Sequence, residues 1–305
     1  EGRRLERELR GAIRVDWGGS VEWYPPGSEA SVHQREVARH RQWGYPTRLV
    51  DAATLQRLLP GVRPGSIGAA SFSSEEGTVD PVEVVQALLA QAQAYGARLL
   101  DACAVTGWLF AGEGGTGRIR RVRGVQTTQG EIDGEVVVLA AGTGIPTMAG
   151  LAGVQVPLVE SPGLLLHLRP EGRLVDRVVL APGVHLLQRR DGRLITGSGF
   201  GGTPSNDQSP AQIERMRAAA VPLLPSLRDA QFERLTLGWR VMPQDELPIL
   251  GFPHSLPNVY LAAMHSGITL APLIGRLVAT EILDRIPIDL LAPFRIERFS
   301  RVAGH

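Results

Sequence analysis

Trp239-Arg240-Val241-Met242-Pro243, with Gly238 ahead of it, opens the stretch that decides the fold, and a polar turn, Gln244-Asp245-Glu246, follows. The chain then runs through Leu247-Pro248-Ile249-Leu250-Gly251 to a short apolar strand, Val259-Tyr260-Leu261-Ala262-Ala263. That strand enters Met264-His265-Ser266-Gly267-Ile268-Thr269-Leu270-Ala271-Pro272, and an apolar helical run continues through Ile274, Leu277, Val278 and Ile282. A strand that turns through His-Ser-Gly into a helix leaves several backbone N–H groups unpaired at the helix start, with the positive end of the dipole behind them. Such a start suits an anionic or electron-rich ligand, and it equally suits a helix that merely closes the fold.

Composition narrows the classes. With 305 residues, 43% of them hydrophobic, the chain can bury a sizeable core and is expected to divide into two lobes. Lys and Arg total 32 against 31 Asp and Glu, so no overall field favours nucleic acid or an anionic membrane surface. The lone Cys103 excludes an internal disulfide and a thiolate metal cluster, in keeping with a cytoplasmic location, and is expected in the core at a strand end. No apolar run reaches the length of a transmembrane helix. The chain begins at Glu1 in a charged helical stretch, with Leu5, Leu9 and Ile13 at helical spacing, so a helix over residues 1–13 with chain upstream of it is expected.

Further along, a strand is read at Ser20–Tyr24, a helix over Ser28–Trp43, a strand at Thr47–Val50, and a helix over Ala52–Leu59 with Asp51 as its cap. Gly68–Phe72 alternates weakly, and Asp80 and Pro81 sit where an N-cap and a first helical residue belong, predicting a helix over Pro81–Tyr95. A β-rich segment follows, with strands at 97–100, 104–110, 119–127 and 131–139. Its end, Glu135-Val136-Val137-Val138-Leu139, reads as buried on both faces of a layered sheet. Ala140-Ala141-Gly142 then leaves the strand, and small residues there let a ligand approach the backbone; Gly142-x-Gly144 by itself also fits a plain tight turn, with Pro146 interrupting the next helix start. Antiparallel strands are expected at 156–168, 177–180, 184–188 and 193–196, the last two joined by a turn at Arg190-Asp191-Gly192. A helix over 208–221 and a strand over 231–241 complete the order, which is α/β (α+β) with two interleaved lobes and no internal repeat.

The stretch from Gly238 onward resembles the C-terminal signature of the D-amino-acid-oxidase-like flavoproteins, the glycine oxidase and sarcosine oxidase group, whose pattern is G-x-R-P, D-G-x-P-x-I-G, then G-H followed by Gly and L-A-P. Pro293-Phe294-Arg295-Ile296-Glu297-Arg298-Phe299 is similar to that group's closing F-R-x-x-R-F, and Val79-Asp80-Pro81, Val105-Thr106-Gly107 and Ala140-Ala141-Gly142 also match. The resemblance implies an FAD-binding Rossmann-like layered lobe over 76–150 and 245–305, interleaved with an antiparallel-sheet substrate lobe over 14–75 and 151–244. The family's opening G-x-G-x-x-G turn is not in this sequence. A start that lies upstream is the expectation; a flavin-free binding or assembly subunit of the same fold is the alternative.

What the resemblance implies for the site is specific. Arg240 would grip a substrate carboxylate, or else pair with Asp245 or Glu246. His265, Ser266, Gly267, Ile268, Thr269 and Leu270 would wrap the pyrimidine and ribityl parts of FAD, while Ala140, Ala141 and Gly142 abut the cofactor. Val105 would meet the adenine side through its main chain or be an ordinary strand residue. Where the group has Tyr in Y-x-V-P-R this chain has His185-Leu186-Leu187-Gln188-Arg189, and Met264 stands where Gly is usual. His185 is then a substrate contact, a base for the amine proton, or a strand residue facing solvent. The implied reaction oxidises the C–N bond of a glycine-like or D-amino acid, or of a secondary amine, with oxygen or a respiratory acceptor taking the electrons; an oligomer is compatible with it. His33, His40, His167 and His254 show no metal-ligand spacing.

Overall fold

The computed structural model describes residues 2–9, 11–112, 119–199 and 202–299. The chain divides into two compact units: Glu1–Glu8, Leu88–Ser161 and Trp239–His305 form one, Leu9–Ala87 and Pro162–Gly238 the other. The boundaries proposed from sequence fall at 75/76, 150/151 and 244/245; those observed fall at 8/9, 87/88, 161/162 and 238/239.

The second unit is built on an eight-stranded sheet in the spatial order 231–239, 162–169, 194–197, 184–188, 178–181, 20–24, 69–73 and 47–49. Ser20–Tyr24 runs parallel to Val178–Ala181 and antiparallel to Ala69–Ser73. The two-residue side-chain period divides the sheet cleanly. Val21, Trp23, Ala70, Val179, Leu186, Leu194, Leu164, Leu166 and Leu168 form one face, packed with Leu55 and Met216 from the helices Ala52–Leu58 and Pro210–Ala220. The opposite face carries Glu22, Ser71, Leu180 and His185, which are cross-strand partners in succession. Helix Ser28–Gln42 lies over that face and buries Ala30, His33 and Val37, one side of an otherwise charged helix.

Capping follows the expected chemistry. Asp51 Oδ1 accepts from Thr54 N at 2.7 Å, and Asp80 Oδ1 accepts from Val82 N at 2.8 Å at the start of helix Pro81–Ala94. Ser209, not foreseen as a cap, accepts from Gln212 N at 3.3 Å. Gly192 closes the hairpin after Gln188 at φ +86°, with Arg189 N donating to Arg193 O at 2.8 Å.

The first unit holds a three-stranded sheet with Val259–Ala263 in the centre, antiparallel to Ile249–Gly251 and parallel to Val137–Leu139. Val259, Leu261 and Ala263 pack with Ile145, Ala149 and Ile249 on one side, whereas Tyr260 meets Ile274, Val278 and Leu291 on the other. Among the described residues, burial on both faces belongs to Val259–Ala263, whereas in Glu135–Leu139 Val138 is 45% exposed. A separate antiparallel meander, Val105–Phe110, Val122–Thr127 and Gly130–Asp133, is tied to helix Ile145–Gly150 by Trp108 Nε1 donating to Met148 O at 2.7 Å. Asn258, buried, donates to Val122 O and Glu135 O and accepts from Val122 N.

Several local expectations are corrected. Residues 97–100 form no strand; they are exposed and follow the helix as an irregular link, with no sheet to join among the described residues. Residues 131–139 divide at Gly134–Val136, and 156–168 divides into Leu158–Val159 and Pro162–Arg169. The first helix covers Gly2–Glu8 only, and the chain turns after it with Ala12 N donating to Leu9 O. Pro146 does not interrupt the helix Ile145–Gly150 but lies in its first turn, where a missing N–H costs nothing. Cys103 is half-buried in the segment before Val105, not a core residue.

Candidate functional site

Parallel pairing brings two of the sequence-derived segments together. Leu139 lies opposite Leu261, so both strands deliver their chains to the same edge of the sheet: Ala140-Ala141-Gly142 from one and Met264-His265-Ser266 from its neighbour. Open sheets of this kind present their ligand sites at the carboxyl ends of parallel strands. Gly142 holds φ +59°, a left-handed conformation that glycine adopts without penalty. A Cβ added there would lie 3.6 Å from Val241 Cγ2, so the segment carrying Arg240 passes beside this turn.

Arg240 follows the strand Gln231–Trp239 and is half-buried. Its backbone N donates to Ser161 O at 2.8 Å and its Nη1 donates to Ser161 Oγ at 3.1 Å. Asp245, one of the two carboxylates weighed as its partner, is gripped by Arg298 through two bonds of 2.6 and 2.9 Å, which lower the Asp245 pKa. Ser161 had no signal in the sequence, since it lies nearly eighty positions away and in no motif.

The helix start has the openness the sequence suggested. Ser266 is left-handed at φ +58° and makes no capping bond from its side chain; its hydroxyl instead lies 2.9 Å from His265 Nδ1. Ser266 to Thr269 are exposed and His265 and Leu270 half-buried. The first N–H groups of an α-helix have no intrahelical acceptor, so an exposed start without a side-chain cap suits a ligand rich in acceptor oxygens and nitrogens.

The other end of this helix is closed. Glu281, buried, accepts from Tyr260 Oη at 2.7 Å, from Ile288 N at 2.8 Å, and from both Nη atoms of Arg295. Burial alone would raise the Glu281 pKa, but the hydrogen bonds from Arg295, Ile288 and Tyr260 outweigh it and lower the value. Arg295 also occupies the space a side chain at position 251 would need; Gly251 is at φ +124°, and its Cβ would collide with the guanidinium. The two arginines of the closing segment thus perform structural work, Arg295 on Glu281 and Arg298 on Asp245.

Two further sequence candidates lie on other elements. Val105 begins the meander, 42% exposed and paired with Thr127. His185 belongs to the second unit, half-buried on the polar face of the eight-stranded sheet and not fully in solvent. Burial lowers its pKa, opposed by the charge of Glu22. Among the described residues no group of three or more His, Cys, Asp or Glu is arranged to hold a metal ion, and no helix is long and apolar enough to cross a membrane.

Comparison with known proteins agrees with this architecture. The chain is 30% identical over 302 residues to the bifunctional protein ThiO/ThiG of Trichormus variabilis, covering 94% of this chain and 44% of that one. It is 30% identical over 257 residues to glycine oxidase of Pseudomonas aeruginosa, covering 82% and 67%. The chain therefore spans less than half the length of the first relative and about two thirds of the second. Two solved structures share the fold: L-proline dehydrogenase from P. horikoshii, at 22% identity, TM-score 0.87 and coverage of 98% and 80%, and glycine oxidase from Geobacillus kaustophilus, at 24%, 0.84, 97% and 80%. The family model for FAD dependent oxidoreductases matches residues 1–281, taking in the strand-end turns, Arg240 and the open helix start. With that match and these relatives, the chain belongs to the D-amino-acid-oxidase-like (DAO) family of FAD-dependent oxidoreductases.

Proposed function

We propose that the chain acts in the oxidation of the C–N bond of a small amino acid or secondary amine, glycine-like or of D configuration, to an imine that water converts to a carbonyl compound and an amine. The observation that carries this reading is the meeting of an arginine-bearing segment, a left-handed glycine turn and an uncapped helix start at one sheet edge. FAD supplies the hydride acceptor; the isoalloxazine electronics belong to the cofactor, and the protein supplies position and charge. Ala140, Ala141 and Gly142 would let the cofactor approach the backbone closely. His265 to Leu270 would line its pyrimidine edge with N–H groups and the helix dipole, and Val105 would meet the adenine side.

Arg240, with its planar fork, would bind the substrate carboxylate through two charge-assisted bonds. Ser161 Oγ, 3.1 Å from Nη1, steadies that guanidinium. His185, whose pKa burial lowers, would be the base for the proton that the substrate ammonium must lose before hydride leaves the α-carbon. Dioxygen or a respiratory acceptor would take the electrons onward, and a cytoplasmic place suits a chain with a single cysteine.

Arg240→Ala tests the reading. Losing a charged hydrogen-bond pair of about 1.5–3 kcal/mol should lower kcat/KM roughly 10- to 100-fold, mainly through KM, with the flavin content unchanged. Unaltered kinetics with glycine-like substrates would remove Arg240 from the carboxylate role.

A further inference from the structure

A cavity of about 540 Å³ lies wholly within the second unit, on the polar face of the eight-stranded sheet beneath helix Ser28–Gln42. Its floor is Glu22, Ser71 and Leu180, and Glu36, Glu76, His40, Trp43 and Tyr45 stand around it. Two of the carboxylates accept hydrogen bonds from neutral donors. Glu22 accepts from Tyr24 Oη at 2.8 Å and Glu76 accepts from Tyr45 Oη at 2.7 Å. Burial, and then these same carboxylates, push both phenols above their ordinary range, so each donates a proton and neither brings a positive charge.

A guanidinium and an imidazole stand nearby. Arg39 Nη2 is 3.7 Å from Glu36, an exposed pair one helical turn apart that solvent screens. His33 is buried, its Nε2 2.9 Å from Ser71 Oγ and its Nδ1 3.8 Å from Glu22 Oε2. The rings at the mouth cluster, His40 lying 5.6 Å from Trp43 and 6.1 Å from Tyr45 between centroids. Arg39 already sits 5.3 Å over the Trp43 ring, which shows that a guanidinium can stack there.

An anion would meet three carboxylates, and a neutral apolar molecule would strip water from them without compensation. A cation with an apolar stem satisfies both the charge and the rings. We propose that this cavity binds a small organic cation, an alkylguanidinium or alkylammonium, with its charged end against Glu22 and Glu76 and its stem between His40, Trp43 and Tyr45. Glu22 and His185 are both partners of Leu180, two strands or about 10 Å apart within this unit.

Butylguanidinium and its neutral isostere butylurea are the probes, titrated into the flavin-loaded protein while the Trp43 indole N–H is followed by NMR. Trp43→Phe assigns that signal. Butylguanidinium should shift it saturably, butylurea should bind at least tenfold more weakly, and Glu76→Gln or Glu22→Gln should each weaken butylguanidinium about tenfold. No saturable shift, equal affinity for the two probes, or indifference to both substitutions would overturn the proposal. Inhibition of glycine oxidation competitive with glycine assigns the cation to the substrate; binding without inhibition assigns it to a separate ligand. The NMR readout needs no turnover, so it stands or fails independently of the proposed reaction.

Discussion

At its C-terminal end the helix Gly267–Asp284 tucks Glu281 among Arg295, Tyr260 and Ile288, and every carboxylate oxygen there is engaged; at its start Ser266 leaves the first turn uncapped and exposed. One element thus holds a saturated buried charge and an open row of donors some four turns apart. The closed end fixes where the helix lies against the three-stranded sheet, and the open end inherits that position. A buried charge contributes stability only when fully partnered, whereas donors meant for a ligand have to be left without protein partners. The difference teaches that stability and binding have been assigned to opposite ends of the same helix.

The largest effect is expected from breaking the closed end. Glu281→Ala leaves the Arg295 guanidinium without its carboxylate and should cost about 3–5 kcal/mol, read by urea unfolding. Because the folded Glu281 pKa lies below its ordinary value, the stability it contributes is present above that value and is lost as pH falls through the folded one. Glu281→Gln should flatten that acid limb. Gly251→Ala attacks the same contact from the strand side: a left-handed backbone and a Cβ in the place of Arg295 should cost on the order of 2–3 kcal/mol. A cost under about 0.5 kcal/mol would show that neither the backbone nor Arg295 resists a side chain there.

A buried group that lacks such saturation makes the contrast sharper. His167 Nε2 is 2.9 Å from Thr236 Oγ1, but its Nδ1 finds no partner among the described residues. Burial first, then Arg234, Arg193 and Arg189, lower its pKa to about 4. The unfolded chain protonates this ring first as pH falls, so stability should drop between about pH 6.5 and pH 4 by roughly 3 kcal/mol. His167→Gln should remove that slope from the pH dependence of the unfolding free energy. The smallest effect separates two helix starts. Ser209→Ala should cost about 1 kcal/mol because a capping bond is lost, whereas Ser266→Ala should change stability by less than about 0.5 kcal/mol. Equal costs would mean that Ser266 does cap its helix in solution.

Much of this was legible in the sequence where the signal is local. Asp51 and Asp80 are legible as caps because a short acceptor before a helical pattern has one obvious use, and Pro81 sits where its missing N–H costs nothing. The stretch from Arg240 to Leu270 carried both the family resemblance and the open helix start. The misreadings share a cause. Residues 97–100 and Glu135–Leu139 have strand composition, yet whether such a segment pairs, and on how many faces it is buried, depends on neighbours distant in the chain. Ser161 beside Arg240 and Arg295 beside Gly251 were invisible for the same reason, as was the cavity over Glu22.

By itself the sequence determined the kinds of element, their caps and turns, and membership of a flavoprotein family, since these rest on periodicity and motif spacing within a few dozen residues. Tertiary structure alone decided which carboxylates are saturated and which stand open, which strand is central, and which turns share a sheet edge. The physical reason is that charge pairing and burial are set by groups brought together across tens to hundreds of positions, and no local pattern encodes the partner.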